Sequence, residues 1–214
     1  MSYLDKFLLK AVLNGSLDDV SEYIAEHADV DAVDSNGRSG LYHAAAAGNE
    51  DMIKLLLVHK GDPNLADDDG VLPLSASLLE KNYSTAKLLL DNGAKANLPA
   101  GDKKMTALHA AINMDLKDHT AERVTFLLEN GADANGAANA AGYTPYAQAK
   151  AYIGQWPDAE IIVNAMAVFA EGQEVVARRL KDEFIAAETS RVFSGSTTAA
   201  KVKTVRFAAP KGPR

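Results

Sequence analysis

A five-residue unit returns four times along this chain: HADVD at 27–31, KGDPN at 60–64, GAKAN at 93–97 and GADAN at 131–135. Successive copies lie 33, 33 and 38 residues apart. A fixed period of this length confines the chain to stacked supersecondary units, because one unit cannot bury its apolar face alone and must lay it on a neighbour. Such an array offers an extended surface rather than an enclosed cleft. A recognition role is therefore expected before a catalytic one.

Each copy follows an amphipathic stretch and precedes a turn and a second short helix. The second unit reads Gly37-Arg-Ser-Gly-Leu-Tyr-His-Ala-Ala-Ala-Ala-Gly, then Asn49-Glu-Asp-Met-Ile-Lys-Leu-Leu-Leu. The third reads Gly70-Val-Leu-Pro-Leu-Ser-Ala-Ser-Leu-Leu, then Tyr83-Ser-Thr-Ala-Lys-Leu-Leu-Leu-Asp-Asn-Gly. In the fourth, Thr106-Ala-Leu-His-Ala-Ala leads to Glu122-Arg-Val-Thr-Phe-Leu-Leu-Glu-Asn-Gly-Ala-Asp-Ala-Asn.

This pattern resembles the ankyrin repeat, with its turn, Thr-Pro-Leu-His helix, Leu-rich second helix and Gly-Ala-Asp-x-Asn ending. The likeness covers roughly residues 4–170. It implies an all-α ankyrin-repeat solenoid of about five helix-pair units, with short hairpin-like turns and C-terminal capping helices. The physics agrees: Ala-rich inner helices pack closely, and Leu triplets fill a shared core. Three ranges follow: 1–172 as the repeat domain, 173–193 as an amphipathic helix, and 194–214 as a disordered basic tail.

Departures from the pattern carry expectations of their own. Gly93 and Gly131 stand where a left-handed helix cap favours glycine; Lys60 replaces that glycine, so a displaced or strained cap is expected there. The first unit, Lys6–Asp31, lacks a leading turn and reads as an N-terminal cap. A fifth unit opens at Gly142-Tyr-Thr-Pro-Tyr-Ala and degrades, with a helix from about Asp158 to Glu171. The longer fourth interval is assigned to Met114–Ala121, as a lengthened surface turn or a contact point. Val175, Val176, Leu180, Phe184 and Ile185 fall at helical spacing, which suits a helix over the open end of the stack or a partner-binding helix.

Composition narrows the function. Net charge is −7, which argues against a phosphate-binding footprint, although six basic and no acidic residues lie between Ser190 and Arg214. There is no cysteine, hence no disulfide, thiolate metal site or Cys nucleophile, and a cytoplasmic (in a eukaryote, cytoplasmic or nuclear) setting is expected. No apolar run approaches the ~18–20 residues that span a bilayer, and the first ten residues do not read as a secretory signal.

Chemistry finds little support. His109 holds the histidine of the Thr-x-Leu-His motif, and the resemblance assigns it hydrogen bonds to the turns of its own and the next unit. Tyr42, Ser75 and Ala147 stand at the equivalent positions, so three units should lack this bond and be less rigid. Asp67-Asp68-Asp69-Gly70 lacks the alternating ligands and later Glu of a calcium loop, so a solvated hairpin tip is expected. Phosphate-binding glycine motifs, nucleophile elbows and His-Glu-x-x-His are missing. No enzyme, metal or cofactor is expected, and no small-molecule substrate.

The resemblance places a partner on the concave face, at hairpin tips and exposed inner-helix positions. These are Arg38, with Ser35 and Asn36; Asp68, Asp69, Val71 and Leu79, with Glu80; Lys103, Met105, Asn113 and Met114, with Asp102; and Tyr143, with Tyr152. Val71, Leu79, Met105, Met114 and Tyr143 should be exposed apolar groups that the stack does not need. A protein partner and a monomeric adaptor, scaffold or inhibitor are implied. In the tail, Lys203-Thr-Val-Arg-Phe207 resembles the docking motif of type-one protein phosphatase regulators, with Val205 and Phe207 as the pocket-filling pair. The N-terminal units also resemble the small myotrophin-type ankyrin proteins that bind actin-capping protein. A chaperone-like binder using the basic tail is the remaining alternative.

Overall fold

The computed structural model describes residues 2–113, 120–155 and 159–171. Among these residues it contains ten α-helices and, in place of sheets, two isolated antiparallel bridges, Val33–Ser39 and Ala100–Met105. The helices follow one another as α1 (Tyr3–Asn14), α2 (Leu17–Ala25), α3 (Gly40–Ala47), α4 (Glu50–Val58) and α5 (Pro73–Leu79). Then come α6 (Tyr83–Asp91), α7 (Ala107–Asn113), α8 (Thr120–Glu129), α9 (Pro145–Ala151) and α10 (Ala159–Glu171). Odd-numbered helices stack into an inner row, each on the next; of the even-numbered ones, α2 packs on α4, α4 on α6, and α8 on α10.

Local sequence sets the helix ends. Ser2, Ser16, Ser39, Asn49 and Thr144 each accept an N–H from the first turn with their side-chain oxygen. Pro73 and Pro145 begin α5 and α9, where a missing N–H costs nothing. Ser2 and Asp5 form a reciprocal capping box, and Asp5 Oδ1 also accepts the Asp29 N–H at 3.1 Å, fastening α1 to the first pentapeptide. The Ser2 side chain and amide hold the Asp5 carboxyl below its ordinary range.

Packing follows the period. Leu8, Leu41, Leu74 and Leu108 of the inner row, and Ile53, Leu56, Leu89 and Leu127 of the outer row, are buried in one continuous core. Each contributes on the order of 2 kcal/mol against exposure.

The pentapeptides form a polar ladder along one edge. Asn64 accepts the Lys95 N–H at 2.8 Å and donates to the Gly93 carbonyl at 3.0 Å. Asn97 repeats both bonds, to the Asp133 N–H and the Gly131 carbonyl. Asp31, at the same register position, accepts the Asp62 N–H at 2.8 Å but has no amide with which to donate. Burial raises the Asp31 carboxyl above its ordinary range, and the charges of Asp62 and Asp29 add to this.

Three expectations are refined. The cap at Lys60 is strained rather than displaced: Lys60 itself takes the left-handed conformation, φ +67°, as does His27 at +70°. Gly61 instead holds the alanine position of the motif, where a Cβ would lie 3.1 Å from both Leu41 and the Leu56 carbonyl. The extra length of the fourth unit is divided. Its hairpin tip closes from Ala100 to Met105, one residue longer than Asp67 to Val71 in the third, with Lys104 left-handed at φ +49°. Two of the three units without the motif histidine tie their own turn by another side chain, though not the next unit's: His43 Nε2 pairs with Asp34 Oδ2 at 3.0 Å, and Asn139 donates to Gln148 Oε1 at 2.9 Å.

Residues 114–119, Trp156-Pro157, the helix expected over 173–188 and the tail with Val205 and Phe207 lie outside the described residues. Among the described residues no helix is long and apolar enough to cross a membrane.

Candidate protein-binding face

The hairpin tips of the second, third and fifth units share one device. Asp34 Oδ1 accepts the N–H groups of Asn36 and Arg38, at 2.8 and 3.0 Å. Asp67 Oδ1 does the same for Asp69 and Val71, at 3.1 and 2.7 Å. Asn139 Oδ1 accepts from Ala141 and Tyr143, at 3.0 and 3.1 Å. In each case a short Asp or Asn side chain imitates a backbone turn and fixes the residues that follow it. The signal was present as Asp or Asn three residues before Gly37, Gly70 and Gly142. Asp67 was expected to be solvated with Asp68 and Asp69, but it is buried at 7% exposure.

Adjacent tips touch through main chain. The Asp68 N–H donates to Asn36 O at 3.1 Å, and the Ala140 N–H to Lys103 O at 2.8 Å. Gly70 and Gly101 meet so closely that a Cβ on Gly70 would stand 2.7 Å from the Gly101 Cα. The tips thus form a continuous, ordered row from which side chains project.

Charge along the row is uneven. The Arg38 guanidinium lies 3.5 Å from Asp67 Oδ2 and 5.2 Å from the centre of the Tyr42 ring. Burial of Asp34 opposes its charge, but bonds from the Arg38 and Asn36 amides and from His43 prevail and hold the carboxyl below its ordinary range. Asp68 and Asp69 are exposed in the third unit, and Asp102, Lys103 and Lys104 in the fourth.

His109 anchors the far end. It is fully buried; its Nε2 lies 2.8 Å from the Tyr143 carbonyl, and its Nδ1 lies 3.2 Å from the Thr106 N and 2.9 Å from the Thr106 hydroxyl. A neutral ring donating from Nε2 and accepting at Nδ1 satisfies these partners. Burial lowers the His109 pKa, opposed by the Tyr143 carbonyl bond. The Tyr143 main chain is thereby held from both sides while the residue as a whole remains 48% exposed.

The remaining expected residues are placed differently. Val71, Leu79 and Met105 are half-buried rather than exposed, so of the expected apolar group Tyr143 alone projects freely among the described residues. The Met105 sulfur accepts from Asn113 Nδ2 at 3.3 Å. Asn113 Oδ1 accepts from Gln148 Nε2 at 2.7 Å and from the Tyr152 hydroxyl at 3.1 Å. Met105, Asn113 and Tyr152 therefore belong as much to the junction of the fourth and fifth units as to an outward surface. The lengthening of the fourth unit hid this, because it obscured which residues face α9. Met114 lies outside the described residues. Among the described residues no group of three His, Asp or Glu is placed to hold a metal ion.

Comparison with known proteins agrees with the geometry. The model for three copies of the ankyrin repeat matches residues 8–100, and that for a single ankyrin repeat matches 103–139, together more than half of the chain. Human ankyrin repeat and SOCS box protein 16 is 34% identical over 109 residues, 51% of this chain and 24% of that protein. Bovine mitochondrial disaggregase is 31% identical over 145 residues, 66% of this chain and 20% of its own. An ankyrin repeat protein of Rickettsia felis is 28% identical over 135 residues, 63% of this chain and 43% of its own. The chain spans less than half the length of each of these relatives.

Proposed function

This chain belongs to the ankyrin-repeat family, whose members are generally protein–protein interaction modules, and we propose that it is a non-catalytic adaptor, scaffold or inhibitor that grips a protein partner along its row of hairpin tips. One observation carries the reading. The second, third and fifth tips are fixed by a side chain of their own turn, while Asp68, Asp69, Lys103 and Tyr143 project outward from consecutive tips whose main chains touch. The acidic third tip beside the basic fourth favours an extended, charged partner segment in one orientation, with Tyr143 as an aromatic anchor at one end.

Arg38 is a second-rank contributor because Asp67 and Tyr42 already occupy its guanidinium. A monomer working in the cytoplasm is the setting we propose, with nucleic acid an improbable partner for so acidic a chain.

The test is affinity purification from cells of the source organism at low and high salt. Binding through the charge step weakens as salt rises from 0.05 to ~0.5 M, since the screening length falls below about 5 Å over that range. A partner set insensitive to salt and to Tyr143→Asp overturns the reading. A second reading, phosphatase targeting through Lys203–Phe207, rests on that pentapeptide alone. Substitution of Val205 and Phe207 by Ala removes a phosphatase partner if it holds, and leaves the captured proteins unchanged if it does not.

A further inference from the structure

Asparagine precedes glycine five times, at 14–15, 36–37, 92–93, 130–131 and 135–136. In this pair the backbone can attack the asparagine side chain, because glycine has no Cβ to block its own nitrogen and leaves the chain free to turn. The structure treats the five pairs differently. Asn92 Nδ2 donates to the Leu88 carbonyl and Asn130 Nδ2 to the Phe126 carbonyl, both at 2.8 Å. Each amide is thus tied back to the preceding helical turn. Asn14 ends α1, and the Gly15 N–H is held by the Ala11 and Val12 carbonyls.

Asn36 and Asn135 are exposed, and among the described residues no bond reaches either side chain. For Asn135 the cause is the ladder of pentapeptides. It stands at the register position of Asn64 and Asn97, whose amides are taken up by the following pentapeptide, and it belongs to the last copy. At Asn36 the tip is held by Asp34 Oδ1, which accepts the Asn36 N–H, so the amide has no part in the turn. The Gly37 and Gly136 N–H groups make turn bonds of 3.2 and 3.3 Å, matching those of Gly131 and Gly93. The side chain is therefore what distinguishes the pairs.

We propose that Asn36 and Asn135 are sites of spontaneous deamidation in the folded protein, while Asn14, Asn92 and Asn130 are protected. The glycine nitrogen bonds to the asparagine Cγ and loses its proton to water, and the side-chain nitrogen leaves as ammonia. Water then opens the succinimide ring at either carbonyl, leaving aspartate or isoaspartate. One water is consumed and one ammonia released, with no change of oxidation state. At position 36 the product falls on a junction. The Asn36 carbonyl accepts the Asp68 N–H at 3.1 Å, and a Cβ on Gly37 would stand 2.4 Å from Asp68 Oδ1. Isoaspartate lengthens the main chain there by a methylene and sets a carboxylate near Asp34 and Asp68, where like charges repel. The chemistry does not depend on what the tips bind.

The full chain is aged in mildly alkaline buffer, folded and in denaturing urea, and deamidation at each asparagine is followed by peptide mapping with mass spectrometry. In urea the five pairs convert at comparable rates, since the reacting residues are the same. In the folded chain Asn36 and Asn135 convert about tenfold or more faster than the other three, the factor that corresponds to one hydrogen bond. Hydrogen exchange supplies a second readout: the Asp68 amide exchanges faster in chains converted at 36, and an equally aged Asn36→Gln chain keeps its protection. The proposal is overturned if either Asn36 or Asn135 is as slow in the folded chain as Asn92 and Asn130. It is equally overturned if any of the three protected sites matches the exposed pair. Unchanged Asp68 exchange after conversion at 36 would remove the effect on the junction.

Discussion

The pentapeptide edge and the hairpin tips are both built from Asp and Asn, yet they use them in opposite ways. Along the edge the side chain reaches forward: Asn64 and Asn97 each make two bonds to the following unit, about 30 residues away in sequence. At the tips Asp34, Asp67 and Asn139 bond their own turn, two and four residues on. The edge therefore depends on strict repetition, since each residue needs its counterpart in the next unit. The tips need only one short acceptor apiece and leave neighbouring positions free to vary. The inter-unit bonds place stability in the first arrangement; the proposed recognition belongs to the second.

The largest expected break is at the one place where tips pack without side chains. Gly70→Ala forces a Cβ to within 2.7 Å of Gly101 at a backbone φ of +80°. Left-handed strain and overpacking together should cost about 2–4 kcal/mol. Gly142→Ala, at φ +85° with nothing within 4 Å, should cost about 1 kcal/mol from strain alone. Urea unfolding of the pair separates clash from strain.

Next is the edge itself. Asn64→Ala removes two inter-unit bonds and should destabilise by roughly 1–3 kcal/mol in the same experiment. Asp69→Ala, an exposed tip side chain, should stay within about 0.5 kcal/mol of wild type. Comparable losses at the two positions would erase the distinction between edge and tip.

The pH dependence of His109 comes third. Its native pKa is lowered by burial from an ordinary value of 6.5, so the unfolded chain takes up the proton first as pH falls. The stability associated with its neutral form is complete above about 6.5 and declines as pH drops through that value towards the native pKa. Urea midpoints from pH 8 to 5.5 should fall more steeply for wild type than for His109→Gln.

The smallest effect has the opposite sign. Asp31→Asn keeps the acceptor for the Asp62 N–H, removes a carboxylate whose ionisation the fold disfavours, and supplies the amide present at Asn64 and Asn97. A gain of roughly 1 kcal/mol is expected, read as a higher urea midpoint.

The register of units and the buried Leu positions were legible because each depends on local residue type at a fixed period. The fifth unit's outer helix was legible too, close to its observed start at Ala159. Lys60 was not. A residue can adopt a left-handed conformation at modest cost, and the neighbouring glycine, which seemed to offer relief, was already committed to close packing against Leu41 and Leu56. The ties His43–Asp34 and Gln148–Asn139 were also hidden, because sequence comparison looked for the motif histidine at its own position and the substitutes stand one residue later. On the binding face, Asp68, Asp69, Lys103 and Tyr143 do project outward. The half-buried state of Val71, Leu79 and Met105 depends on how neighbouring units sit together, which no single unit specifies.

The claim that recognition belongs to the tips is tested most directly by two full-length variants, one on each face. Lys103→Glu with Tyr143→Asp alters the tip row, and Lys54→Glu with Val58→Asp alters exposed positions on the outer helix α4. Both should melt with wild type. Quantitative capture from the source cell should show partners lost from the tip variant by about tenfold or more, the size of one interfacial hot spot, and retained by the outer variant. Retention by the tip variant together with loss from the outer one would contradict the account.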